Sequence, residues 1–150
     1  MINLKPSGKS DAQFLKNLFY QQKLIEYKDF MYDEALILAL IEMQYNAKQN
    51  AYNDQYPLAE SYIAFLDNIP VGKIILDKSS NYHIVDILIL PDHQNKGVGT
   101  HIIKTVIKEA KEKSKDISLK VASHNPAKNL YKRLGFEIIE TGEVYLELRN

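Results

Sequence analysis

The chain has 150 residues, of which 45% are hydrophobic and 25% are charged, as expected for one soluble globular domain covering residues 1–150. Basic and acidic side chains balance at 19 each, so no net charge would attract a nucleic acid. The absence of cysteine excludes disulfides, a thiolate nucleophile and thiolate metal ligands.

The first half of the chain predicts one strand, two helices and a hairpin. Residues 2–4 form a short strand, and apolar residues from Phe14 to Phe19 recur at helical spacing. Asp33 can cap a second helix, which contains the apolar run 35–41. Two strands, 62–66 and 71–76, are joined by a turn at 67–70.

The second half alternates strands with helices. Residues 84–90 form an apolar strand that Pro91 ends, and an amphipathic helix follows from Gly97. Residues 117–121 form the next strand, which the intervening helix makes parallel to strand 84–90.

The chain then predicts a helix and two closing strands. Asn125 caps the helix, with Pro126 at its first position and Gly135 as its stop. The closing strands are 137–140 and 144–148. If strand 144–148 is an exposed edge, two copies can pair there as a homodimer.

The stretch between strand 84–90 and its helix has the layout of an anion site, because glycines and a helix start expose main-chain N–H groups. A Walker loop is excluded, since Lys96 precedes the first glycine, Gly97. A dinucleotide fingerprint is excluded because Ile102 stands where glycine or alanine is needed. The remaining pattern is Gln-x-x-Gly-x-Gly, which starts at Gln94.

A second motif, Leu130-Tyr131-x-x-x-Gly135-Phe136, follows about 30 residues later. Together the two motifs resemble the GNAT superfamily of acetyl-CoA-dependent N-acetyltransferases, clearly from about Ser61 onward and only in topology before it. The resemblance implies the α/β GNAT fold. That fold has a mixed, mostly antiparallel twisted sheet of about six or seven strands with a splayed parallel pair, flanked by about four helices.

The resemblance also implies an acyltransferase. The acetyl group of acetyl-CoA would pass to a small-molecule or peptide primary amine by direct attack through a tetrahedral intermediate. Main-chain groups of the glycine loop would bind the pyrophosphate, and those of strand 84–90 would bind the pantetheine arm. The implied cofactor-binding residues are Ile87, Leu88, Ile89, Gln94, Asn95, Lys96, Gly97, Val98, Gly99, Thr100, Asn125 and Tyr131. Asn125 suits a purely structural role as a helix cap equally well.

Three residues are implied as catalytic. Tyr131 matches the family tyrosine that gives a proton to the departing thiolate, and a phenol with a pKa near 10 stays protonated at neutral pH. The base is open: His83 has a suitable unperturbed pKa, Asp86 is a carboxylate inside an apolar strand, and solvent can also take the proton.

Metal and membrane partners are not expected. The four histidines lack the spacing that pairs two ligands on a helix, so we expect no metal site. No apolar run approaches the roughly 20 residues that span a membrane, and the first residues do not resemble a signal peptide, so we expect a cytoplasmic protein.

Two alternatives and one question stay open. The chain can be a non-catalytic acyl-CoA-binding or regulatory module on the same fold, or a Rossmann-type nucleotide enzyme with a mainly parallel sheet. The tyrosines of the first helices either pack beneath them or line the acceptor pocket, as the resemblance would allow. These tyrosines are Tyr20, Tyr27, Tyr32, Tyr45, Tyr52, Tyr56 and Tyr62.

Overall fold

The structure is a computed structural model that describes residues 1–30 and 33–150. Its strands are β1 (Ile2–Pro6), β2 (Glu60–Leu66), β3 (Ile69–Asp77), β4 (Tyr82–Ile89), β5 (Ile117–Ala122), β6 (Glu137–Thr141) and β7 (Tyr145–Arg149). Its helices are α1 (Ala12–Tyr27), α2 (Glu34–Gln55), α3 (Val98–Glu112) and α4 (Ala127–Arg133). The strands form one sheet in the order β1-β2-β3-β4-β5-β7-β6.

The strand directions confirm the predicted fold class. Neighbouring strands are antiparallel throughout the sheet except for β4 and β5, which are parallel. A mainly parallel Rossmann-type sheet is thereby excluded. The predicted hairpin forms, although its turn is shorter than residues 67–70. Asp67 and Asn68 both have positive φ, at 49° and 69°, and together they form a two-residue turn. β3 therefore begins at Ile69.

The parallel pair separates, as predicted. β4 and β5 pair with each other only from Tyr82 opposite Ile117 to Ile84 opposite Leu119. At this point the ladder between β3 and β4 skips Val85, which is a β-bulge. A bulge bends the strand that carries it. Beyond it, β4 runs on to Ile89 and β5 to Ala122 without pairing to each other.

The prediction that strand 144–148 is an exposed edge is wrong. β7 pairs with β5 on one side and with β6 on the other, so the edges of the sheet are β1 and β6. Alternating apolar residues indicate a strand but not its place in the sheet, and here the last strand inserts between two earlier ones. The homodimer stays a prediction that this strand no longer supports.

The helices contribute side chains to two apolar clusters. The predicted apolar face of α3 is buried against the sheet, with Ile102, Ile103 and Val106 no more than 2% exposed. Phe19 of α1 packs with Ile37 and Ile41 of α2 in a separate cluster. Across the described ranges, no helix combines the length and apolar character that crossing a membrane requires. Ile87 and Ile89, in the separated part of β4, pack against the first cluster and are partly buried.

Gly72 fixes how closely β3 approaches the separated part of β4. A Cβ at this position would lie 2.7 Å from the Leu88 carbonyl oxygen and 2.8 Å from Ile89 Cδ1. We expect Gly72→Ala to lower the free energy of unfolding by about 1–3 kcal/mol, because a backbone atom has to move. Denaturant unfolding measures the change. Gly8→Ala is the matched control, since its Cβ meets nothing within 4 Å; equal losses in both variants would contradict the prediction.

Candidate active site

A cavity of about 660 Å³ opens where β4 and β5 separate. Its walls come from β4, the glycine loop, the start of α3, α4, and parts of α1 and α2. Every predicted cofactor-binding residue except Lys96 lines it: Ile87, Leu88, Ile89, Gln94, Asn95, Gly97, Val98, Gly99, Thr100, Asn125 and Tyr131. Lys96 is exposed and lies outside the cavity wall.

The glycine loop ends at the first turn of α3. Gly97 is the N-cap residue and has φ +81°, a left-handed conformation that glycine adopts without strain. A helix start leaves its first N–H groups without intrahelical partners. A Cβ at Gly99 would meet nothing within 4 Å, so this part of the main chain faces open space in the cavity wall. The loop therefore fits a phosphate group.

The Gln94 side chain joins the glycine loop to α1. Its Nε2 donates to the main-chain oxygen of Ile89 at 3.0 Å and to Oε1 of Gln22 at 2.9 Å. The sequence motif assigned only the main chain of Gln94 to the site. Its partner Gln22 lies in α1, far outside both motifs, so no local pattern points to the contact.

Tyr131 is a buried residue of α4 whose side chain lines the cavity. Its ring packs edge-on against Phe136, with 5.9 Å between the ring centroids. Burial raises the pKa of the Tyr131 phenol, and the negative charge of Asp86 acts in the same direction. The hydroxyl is therefore protonated at neutral pH, which is the state that a proton donor needs. Its catalytic role stays a prediction.

The Asn125 side chain accepts a hydrogen bond from the start of α4, and the residue also lines the cavity. Its Oδ1 accepts the Ala127 N–H at 2.9 Å, and α4 begins at Ala127, one residue later than predicted. Pro126 is consequently the N-cap residue instead of the first helical residue. The position of Asn125 is thus compatible both with cofactor binding and with a structural role at the start of α4.

Asp86 does not line the cavity but lies directly before Ile87, which does. Its Oδ2 is 3.3 Å from Nζ of Lys73, which is almost fully buried, and 3.9 Å from Nζ of Lys48. A carboxylate in an apolar strand needs such partners to offset its desolvation. The ion pairs account for Asp86 structurally, and its role as a base stays a prediction.

We expect Asp86→Asn to lower the free energy of unfolding by about 2 kcal/mol, because Lys73 then keeps a buried charge without a counter-charge. Urea unfolding measures the loss. The control is Asp92→Asn at an exposed site, where we expect a change of no more than about 0.5 kcal/mol. Similar stabilities for the two variants would show that the ion pair contributes little.

His83 lies at the closed end of the parallel pair, outside the cavity wall. Its Nδ1 is 2.9 Å from Ser118 Oγ, its Nε2 is 3.3 Å from the Tyr56 hydroxyl, and its ring stacks on that of Tyr56. Burial lowers the pKa of His83, and the positive charge of Lys120 adds to the effect. The imidazole is therefore neutral at pH 7, but neither candidate base reaches the cavity surface directly.

Three of the tyrosines in question pack between α1 and α2. Tyr20 and Tyr45 make an edge-on ring contact, and the Tyr20 hydroxyl donates to Glu42. The Tyr27 hydroxyl is hydrogen-bonded to the side-chain amide of Gln44. The packing interpretation therefore accounts for these three.

The remaining tyrosines of this group lie in different parts of the molecule. Tyr52 and Tyr56 line a second cavity of about 180 Å³, which also contacts Lys73. Tyr62 packs against the main core cluster. Tyr32 lies outside the described residues. Among the described tyrosines of this group, Tyr52 and Tyr56 have positions compatible with an acceptor role, which stays a prediction.

Several cavity residues lie outside the two motifs. Five of them come from α1 and α2, which fold over β4 through long-range contacts. The spacing of these residues along the chain does not indicate a site in the sequence. They are Phe19, Gln22, Lys23, Glu26 and Lys48.

Comparisons with known proteins agree with this geometry. The model of the Acetyltransferase (GNAT) family matches residues 19–136. A PaiA N-acetyltransferase from Thermoplasma acidophilum in complex with coenzyme A has the same fold, with a TM-score of 0.73 at 18% identity over 100% of this chain and 98% of that one. An acetyltransferase from Thermus thermophilus gives a TM-score of 0.69 at 19% identity, over 100% and 96% of the two chains.

A curated relative matches over a shorter segment. It is an N-alpha-acetyltransferase of Sulfurisphaera tokodaii, 36% identical over 61 residues, or 39% of this chain. The match covers only 36% of the length of that relative. The family model, in contrast, spans most of the chain, including both motifs and the residues that line the cavity beside β4. This chain therefore belongs to the GNAT acetyltransferase family.

Proposed function

We propose that this chain transfers an acetyl group from acetyl-CoA to a primary amine. The observation that carries the proposal is the cavity at the separated ends of β4 and β5, with a helix start in one wall and the Tyr131 phenol in another. A thioester with a diphosphate needs an anion site, an extended slot and a proton donor for its thiolate. The residues that line the cavity supply a candidate for each.

The proposed binding uses main-chain groups. N–H groups of the loop and first turn, Gly97 to Thr100, would bind the diphosphate. The β4 segment Ile87–Ile89 pairs with β3 on one side, while its other side has no partner in β5. Apart from the Ile89 carbonyl oxygen, which accepts from Gln94, its polar groups on that side are therefore available to an extended ligand. Such a contact resembles the addition of a strand to a sheet edge.

In the proposed reaction, the neutral amine attacks the thioester carbonyl carbon directly, through a tetrahedral intermediate. The carbon–nitrogen bond forms and the carbon–sulfur bond breaks. A β4 main-chain N–H would polarise the carbonyl, and Tyr131 would donate its proton to the departing sulfur. The proton that the amine loses would pass to solvent, or through water to His83 or Asp86. No metal takes part in this scheme.

The acceptor is proposed only as a primary amine, on a small molecule or a peptide. A peptide N-terminus belongs among the first candidates, because the curated relative is named an N-alpha-acetyltransferase. A useful panel contains a polyamine, a free amino acid, a peptide with a free N-terminus, and an N-terminally blocked peptide with one lysine.

The test is release of free thiol from acetyl-CoA in the presence of each amine, with the acetylated product identified by mass spectrometry. We expect at least one amine class to raise thiol release above the rate without protein. Binding of acetyl-CoA without transfer to any class would instead support the non-catalytic acyl-CoA-binding module. No binding at all would contradict both functions.

A further inference from the structure

Lys48 of α2 places a primary amine in the wall of the cavity. Its Nζ lies 3.9 Å from Oδ2 of Asp86, the residue directly before the β4 segment that lines the cavity. The ammonium group lies near two rings, since Nζ is 5.6 Å from the centroids of both Phe19 and Tyr52. These contacts hold the amine beside the separated part of β4.

Two other lysines are close by, but each lies nearer to its carboxylate partner than Lys48 does to Asp86. Lys23 also lines the cavity, and its Nζ is paired with Glu26 at 3.1 Å. Lys73 is buried in its ion pair with Asp86 and does not line the cavity. Lys48 is therefore the lysine that both faces the cavity and lies next to β4.

Burial shifts the protonation equilibrium of Lys48 toward the neutral amine. Burial lowers the pKa of its ammonium group, and the positive charges of Lys73 and Lys23 add to this effect. The negative charges of Asp86 and Glu26 oppose it. Only a neutral amine has the lone pair that attacks a thioester. Compared with an exposed lysine, a larger fraction of Lys48 is thus in the reactive state at neutral pH.

We infer that Lys48 is itself an acceptor, so that the chain acetylates its own Lys48 Nζ from acetyl-CoA. This inference depends on the proposed function. The Nζ–carbon bond forms as the carbon–sulfur bond breaks, the nitrogen loses a proton to Asp86 or to water, and the thiolate takes one from Tyr131. The products are free coenzyme A and an amide at Lys48, which removes one positive charge beside Asp86.

The test uses the unmodified 150-residue chain with acetyl-CoA and no external amine. Site occupancy at Lys48 is followed over time by peptide mass spectrometry and compared with that at Lys111, an exposed lysine of α3. We expect acetylation of Lys48 to be about tenfold faster or more, and to slow about tenfold in Tyr131→Phe while that of Lys111 does not change. The rate per chain should not depend on protein concentration.

Two substitutions complete the design. Lys48→Arg keeps the positive charge and should remove the modification, whereas Lys111→Arg should leave acetylation of Lys48 intact. Circular dichroism of each variant checks that it is folded.

Three results would overturn the inference: equal rates at Lys48 and Lys111, a Lys48 rate unchanged in Tyr131→Phe, or a rate that rises with protein concentration. Calorimetry and the amine panel on the same preparation distinguish a failure of the self-acetylation from a failure of the proposed function. Amine-dependent thiol release with Lys48 unmodified overturns only the self-acetylation. Absence of acetyl-CoA binding overturns the proposed function as well.

Discussion

Replacing Tyr131 by phenylalanine is expected to lower turnover by about tenfold or more while leaving the affinity for acetyl-CoA nearly unchanged. The phenol is buried in the cavity wall, and both burial and the charge of Asp86 keep it protonated. Without it, the departing thiolate has no proton donor at this position, and general-acid terms are commonly worth about 10²–10⁴-fold. The ring contact with Phe136 does not involve the hydroxyl, so the variant should fold normally.

Steady-state thiol release measures turnover, and calorimetry measures affinity. Tyr62→Phe is the matched control, because Tyr62 packs against the core and its hydroxyl is bonded to Glu60 away from the cavity. Equal turnover in Tyr131→Phe and the native chain would remove Tyr131 from the mechanism. A loss confined to affinity would assign it to binding alone.

Replacing Gly99 by leucine should weaken acetyl-CoA binding about a hundredfold or more, which corresponds to about 2.7 kcal/mol. The Cβ of a residue at this position has open space within 4 Å, so the helix can form with the larger side chain present. The side chain would then occupy the space where the diphosphate has to approach the main-chain N–H groups. Gly97 is less suitable for this test, since its positive φ would add backbone strain.

Gly8→Leu is the matched control for Gly99→Leu, because a Cβ there also meets nothing within 4 Å and the residue lies outside the cavity. Both variants should unfold at denaturant concentrations close to that of the native chain. If a folded Gly99→Leu variant kept native affinity for acetyl-CoA, the glycine loop would not be the diphosphate site.

The sequence specifies the second half of the molecule well, since local signals coincide there. The apolar strand before Pro91, the glycines at 97 and 99 and the apolar face of α3 each indicate the same strand-loop-helix unit. Because a helix separates β4 from β5, their parallel direction followed from connectivity alone. The predicted cofactor-binding residues other than Lys96 then meet around one cavity because the motifs occupy adjacent elements.

The features that sequence reasoning missed depend on contacts distant in the chain. β7 inserts between β5 and β6, a choice that its alternating residues do not encode. The contact of Gln22 with Gln94 and the approach of Lys48 to Asp86 arise because α1 and α2 fold over β4. His83 has a suitable unperturbed pKa, yet it contacts Tyr56 and Ser118 at the closed end of the parallel pair.

The most direct test of the open slot between β4 and β5 is calorimetric titration of acetyl-CoA into the native chain. We expect saturable binding of one ligand per chain, lost in Gly99→Leu and retained in Tyr131→Phe. A flat titration of the folded native chain, or binding that Gly99→Leu leaves unchanged, would contradict the assignment of this cavity to the thioester.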